Sequence, residues 1–224
     1  MTATPSGQTQ RIHEGQPVFQ AGAALKQAAA AMLMIHGRGA GAQDILSLSS
    51  ELSHPQFAYL APQAAGYTWY PNRFMEPLPS NEPYLSSALA TIDAILESLD
   101  QAGLPREKVI LLGFSQGACL SLEYAARNAR RYGGVVALSG GLIGPNGTPR
   151  DYPGSLDGTP FFLGCSDIDP HIPKTRVLES AEIMGKIGGN VTTRIYPNMG
   201  HTINEDEIKF VQEMMAMLVE EKTS

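Results

Sequence analysis

The sequence is poor in cysteine, tryptophan and charge, and it holds no long apolar run. Two cysteines, Cys119 and Cys165, cannot build the framework of a disulfide-stapled domain; in a reducing compartment both are expected to be packed thiols. No stretch reaches the roughly 18 apolar residues of a membrane helix. Residues 1–15, MTATPSGQTQRIHEG, lack both the basic start and the apolar core of a secretion signal. A cytoplasmic protein without a membrane anchor is expected. Only 17% of the residues are charged, the net charge is −6, and the lysines and arginines form no stripe, which excludes the electrostatic footprint of a nucleic-acid or anionic-membrane binder. His13, His54 and His171 show no metal-ligand spacing, so no metal is assigned, and His36 reads as a turn-stabilising residue.

What is present suffices for one α/β domain: 224 residues, 43% of them hydrophobic. Residues 1–16 are polar and aperiodic and read as a flexible lead-in to a single domain over 17–224. Short apolar runs bounded by glycine or proline predict strands over 17–21, 28–35, 57–61, 108–112, 135–138, 161–163 and 191–196. Apolar residues three and four apart predict helices over 44–52, 84–99 and 174–187, and a last helix striped by Ile208, Val211, Met215 and Leu218 behind an Asn204/Glu207 capping box. Strands alternating with helices imply right-handed crossovers, a mostly parallel sheet covered on both faces, and one shared side for the loops at the strand carboxyl ends.

The chain is organised around 108–117, KVILLGFSQG. A G-x-S-x-G between a buried strand and a helix is a nucleophile elbow: a tight turn lifts the serine hydroxyl above the sheet, and glycines at 113 and 117 remove side chains where strand and helix nearly touch. Ser115 is thus the candidate nucleophile. A serine hydroxyl needs a positioned base, and His201, after the last strand, completes the order serine, acid, histidine. The acid that fixes the histidine tautomer follows the 161–163 strand; Asp169 is favoured over Asp167, which lies nearer the strand end. Two backbone donors must hold the oxyanion: the amide of Gln116, after the nucleophile, and that of Arg38 in His36-Gly37-Arg38-Gly39. The long aperiodic stretch 63–82 carries Tyr67, Trp69, Tyr70 and Phe74. Trp69 either lines a pocket or plugs the loop onto the domain. About twenty residues separate the 135–138 strand from the next, too few for a cap domain.

With these residues in place, the chain resembles the phospholipase/carboxylesterase family of small α/β-hydrolases, which includes acyl-protein thioesterases. The resemblance covers nearly all of 30–218 and rests on MIHGRGAGAQD (34–44), APQAAGYTWYPNRF (61–74), GFSQGA (113–118), ALSGGL (137–142), DPHIP (169–173) and NMGH (198–201). It implies the α/β-hydrolase fold and a triad of Ser115, Asp169 and His201. It also implies oxyanion donors at Arg38 and Gln116, and a substrate cleft lined by Trp69-Tyr70. Arg38 stands where acyl-protein thioesterases often carry an apolar residue. The expected function is cofactor-free hydrolysis of small or accessible carboxylic esters through an acyl-enzyme. A thioesterase or lysophospholipase would use the same triad, and a non-catalytic ligand binder would keep only the fold. The expected partner is a small-molecule ester; no apolar stripe compels a homodimer, and nothing in the sequence excludes one.

Overall fold

The computed structural model describes residues 11–220. Residues 1–10 of the expected lead-in, and 221–224, lie outside the described residues. Seven strands form one sheet: β1 (Val18–Gly22), β2 (Ala30–Ile35), β3 (Phe57–Pro62), β4 (Val109–Phe114), β5 (Gly134–Leu138), β6 (Pro160–Ser166) and β7 (Asn190–Tyr196). Their spatial order is β1-β3-β2-β4-β5-β6-β7. Only β1 runs antiparallel, on β3; every other pairing is parallel.

The interior strands β2, β4 and β5 are buried along both faces, which is why they read as continuous apolar runs rather than as alternating ones. The period of two nevertheless divides them. Ala31, Leu33, Ile35, Val109 and Leu111 face one side; Ala30, Met32, Met34, Ile110 and Leu112 face the other. The first set packs under α2 (Tyr84–Gln101), α3 (Gln116–Arg127) and α4 (Lys174–Lys186), through residues such as Ile92, Leu120 and Val177. The second packs under α1 (Ala42–Leu46) and α5 (Glu205–Glu220), through Ile45, Val211 and Met215.

Strand order reverses between β2 and β4: β3 lies on one side of β2, and the chain then crosses to β4 on the other. A crevice opens at the carboxyl ends of strands where the winding direction switches. Here those ends carry Arg38 and Ser115.

Three local expectations are revised. The helix expected over 44–52 is a short α1 followed by a 3₁₀ turn at Ser47–Ser49. Ser47 Oγ donates to the Asp44 carbonyl at 2.7 Å and Ser50 Oγ to that of Ser47 at 2.8 Å, so serines compete with the helical ladder. The described part of the lead-in, 11–16, is anchored rather than frayed. His13 is buried, its N–H donating to Ser87 Oγ at 3.0 Å. Trp69 belongs to the core, as described below. Residues 139–159 contain no helix or strand beyond an isolated bridge from Gly154 to Ala129, in keeping with the absence of a cap.

Candidate active site

Ser115 caps α3 with φ 55° and ψ −117°, a conformation that costs an L-residue energy and points its side chain out of the sheet. The neighbouring backbone imposes it. A Cβ on Gly113 would lie 2.2 Å from the Gly117 carbonyl oxygen, and one on Gly117 would lie 2.0 Å from that of Ile35. Strand β4, helix α3 and strand β2 therefore touch through bare backbone. The Ser115 N–H donates to the Leu138 carbonyl at 2.9 Å, tying the strained residue to β5.

His201, from the turn after β7, reaches the serine: Nε2 lies 2.9 Å from Ser115 Oγ. Its Nδ1 lies 2.7 Å from Asp169 Oδ2. With Asp169 ionised, Nδ1 carries the proton and Nε2 is left to accept from the serine hydroxyl. The Asp169 side chain is fully buried. Burial pushes its pKa up, but the His201 hydrogen bond and the amides of His171 and Ile172, at 2.8 and 3.0 Å from Oδ1, outweigh it and leave the pKa below the ordinary value. Asp167 does different work. Its Oδ1 accepts the Asn198 amide at 2.8 Å and so braces the turn that delivers His201. The His201 ring is held between Phe114 and His171, each with its centroid 4.9 Å away. Sequence reading assigned neither residue a role. The position of Phe114 beside Ser115 and of His171 two residues after Asp169 were the available signals.

The amides of Arg38 and Gln116 lie on the two sides of the β2/β4 crevice, and neither donates to an acceptor among the described residues. The Gln116 N–H heads α3, where the first turn has no intrahelical acceptors. Both side chains turn to the aromatic segment 68–72. Gln116 Oε1 accepts the Trp69 amide at 2.8 Å, and its Nε2 donates to the Tyr70 carbonyl at 2.9 Å. The Arg38 guanidinium donates to the carbonyls of Tyr70 at 2.9 Å, Pro71 at 2.6 Å and Asn72.

The aromatic segment divides its labour. Tyr70 lines the cleft, but Trp69 does not: it is wholly buried, and its indole N–H donates to the His36 carbonyl at 3.0 Å. The expectation that Trp69 lines a substrate pocket is corrected accordingly. The indole lies against two histidine rings, His13 at 5.2 Å and His36 at 5.1 Å. His36 Nδ1 donates to the Gly37 carbonyl at 2.7 Å while Nε2 accepts the Ala64 amide at 3.1 Å. His13 Nε2 donates to the Trp69 carbonyl at 3.0 Å while Nδ1 accepts the Ala65 amide at 3.1 Å. Each ring must therefore be neutral, in opposite tautomers, and burial lowers both pKa values in the same sense. The plug holds the end of β2 in place beneath Arg38.

Above the serine lies a cleft of about 460 Å³, walled on its apolar side by Tyr70, Phe74, Met75 and Ile172 and open beside Arg73 and His171. Cys119 also reaches it, but burial pushes its thiol up to about 12, and that of Cys165 likewise, so both are protonated, weakly nucleophilic thiols at neutral pH. Among the described residues no group of three acidic, histidine or cysteine side chains could hold a metal, and no helix is long and apolar enough to cross a membrane.

The sequence profile of the phospholipase/carboxylesterase family matches residues 18–219. A solved phospholipase/carboxylesterase from Dyadobacter fermentans is 41% identical, with a TM-score of 0.87 over 90% of this chain and 97% of that one. Acyl-protein thioesterase 1 of Debaryomyces hansenii is 35% identical over 115 residues, 51% of this chain and 50% of that protein. The protein of the same name from Candida albicans is 34% identical over 130 residues, 56% of each. The chain thus spans about half the length of the curated relatives it matches. Acyl-protein thioesterase 2 of Zea mays, 17% identical with a TM-score of 0.71, shares the fold.

Proposed function

The chain belongs to the phospholipase/carboxylesterase family, and from that premise we propose that it is a serine hydrolase cleaving small or accessible carboxylic esters. The observation that carries the reading is the continuous hydrogen-bonded relay from Ser115 Oγ through His201 to the buried Asp169 carboxylate, at the mouth of an uncapped cleft. Ser115 Oγ attacks the acyl carbon as its proton passes to His201 Nε2, and the carbonyl electron pair moves onto the oxygen. The amides of Arg38 and Gln116 receive that oxyanion, and Asp169 stabilises the imidazolium. Collapse expels the alkoxide, which takes the proton from Nε2. Water, deprotonated by the same nitrogen, then attacks the acyl-serine, and the second collapse returns the proton to Oγ and frees the acid.

A thioester passes through the same tetrahedral intermediate, so an acyl thioesterase activity is the second reading, supported by the names of the curated relatives. The cleft measures about 460 Å³ and no cap sequesters it, which favours short acyl chains. Two unpaired, buried cysteines support a cytoplasmic location. The test is turnover of oxygen and sulfur esters of one acyl group across a series of chain lengths. Faster turnover of the short members supports the reading. Hydrolysis of long-chain triglyceride emulsions with none of short esters contradicts it.

A further inference from the structure

An oxyanion hole assembled from two amides on different chain segments works only if both stay aimed at one point, because a misplacement of about 1 Å can cost on the order of 10²-fold in rate. One of the two amides here is well supported: Gln116 begins a helix whose first turn is wedged against β2 and β4. The other is not. Gly39, next to Arg38, adopts φ +78° with open space where a side chain would stand, and Arg38 itself is exposed. Packing holds the loop as far as His36 and Gly37, which are buried, and stops at the exposed Arg38 and Gly39.

Hydrogen bonds hold the rest. The Tyr70 carbonyl oxygen accepts from Arg38 Nη2 at 2.9 Å and from Gln116 Nε2 at 2.9 Å, so one backbone oxygen joins the side chains of the two residues whose amides form the hole. Further bonds fix that oxygen from both sides. Arg38 also donates to the Pro71 and Asn72 carbonyls. Gln116 accepts from the Trp69 amide, and the Gly39 amide donates to the Tyr67 carbonyl at 2.8 Å. A planar guanidinium spreads its donors over two terminal nitrogens in a rigid fork that spans three consecutive carbonyls; an ammonium offers its three donors from a single point on a flexible stem, and an apolar side chain offers none.

We infer that the Arg38 side chain is a positioning residue for the oxyanion hole: through the Tyr70 carbonyl it locks the Arg38 amide at a fixed distance from that of Gln116. The inference rests on the hydrolase reading above. It concerns transition-state geometry, so its signature lies in kcat and not in KM.

The test compares wild type, Arg38→Met and Arg38→Lys on a short nitrophenyl ester, with kcat and KM resolved, melting temperature recorded, and affinity for an acyl trifluoromethyl ketone measured as a mimic of the tetrahedral adduct. Arg38→Met keeps the backbone amide. The expected result is a fall in kcat of about 10–100-fold, below the 10²–10³-fold cost of deleting an oxyanion donor outright. KM is expected to stay near the wild-type value, ketone affinity to fall in parallel with kcat, and lysine to recover little. Should the methionine variant fail to fold, the lysine variant decides alone. Wild-type kcat in a folded variant overturns the inference, as does a loss confined to KM, which would make Arg38 a substrate contact. A folded wild type that turns over no ester overturns the hydrolase reading and the inference with it.

Discussion

The Asp169 carboxylate lies 2.7 Å from His201 Nδ1, whereas Asp167, two residues earlier, accepts the Asn198 amide and never meets the imidazole. The two acids share a loop but not a partner. Asp169→Asn is expected to favour the wrong imidazole tautomer and lower kcat by roughly 10³–10⁴-fold with the fold retained. Asp167→Asn is expected to cost at most about tenfold, through looser placement of the His201 turn. Steady-state kinetics of the two variants check both; a comparable loss in each would contradict the assignment.

The elbow glycines give a prediction about stability. A methyl at position 117 would lie 2.0 Å from the Ile35 carbonyl oxygen, a backbone atom that no side-chain rotation can move. Gly117→Ala should therefore destabilise the protein by at least about 3 kcal/mol or prevent folding. Urea unfolding measures this, and a loss under about 1 kcal/mol would show that β2 and α3 can part without penalty.

Glu207 supplies a pH dependence. It closes the capping box of α5, its Oε2 accepting the Asn204 amide at 2.9 Å while its own amide donates to Asn204 Oδ1 at 3.0 Å. Oε1 has no partner and stands where a Gly164 side chain would be. Burial pushes its pKa from 4.5 up to about 7. A carboxyl whose folded pKa is raised contributes most stability below its unfolded pKa, and loses it as pH rises through the folded value. Glu207→Gln keeps the cap without the charge. Unfolding free energies of the pair should therefore diverge in favour of the glutamine between pH 4.5 and 7, by roughly 2–3 kcal/mol. Parallel curves would contradict this.

The two histidines beside Trp69 act in the opposite sense. Their lowered pKa values mean stability that is complete above the ordinary imidazole value of 6.5 and is lost as pH falls through the depressed ones. Imidazole nitrogen NMR should show His13 as the Nε2–H tautomer and His36 as the Nδ1–H tautomer, both titrating below 6.5. A midpoint at or above that value for either ring would contradict the neutral plug.

Much of this arrangement was legible in the chain itself. The buried strands announced themselves as apolar runs bounded by glycine, and G-x-S-x-G between Leu112 and a helical stripe located the elbow. Loop order then brought His201 and the 167–169 segment to the same edge. What the sequence could not convey was side-chain direction within irregular backbone. Trp69 and Tyr70 are adjacent and both aromatic, yet one plugs the core and the other lines the cleft, a choice made by the turn around Gly66 and Tyr67, both at positive φ. His13 was hidden for a similar reason: its partners, Trp69, Ala65 and Ser87, are distant in sequence and mostly backbone atoms, which leave no pattern. At Arg38 and Gln116 the sequence points to the amides alone, because a guanidinium collecting three carbonyls has no periodicity to betray it.

The central claim is that Ser115 is a nucleophile activated by His201, and fluorophosphonate labelling combined with ester turnover by wild type and Ser115→Ala tests it most directly. The account predicts that the wild type is labelled at Ser115 and hydrolyses short nitrophenyl esters, and that the alanine variant, folded and equally stable, does neither. A folded wild type that takes no label and turns over no ester, or an alanine variant that still hydrolyses at the wild-type rate, would contradict it.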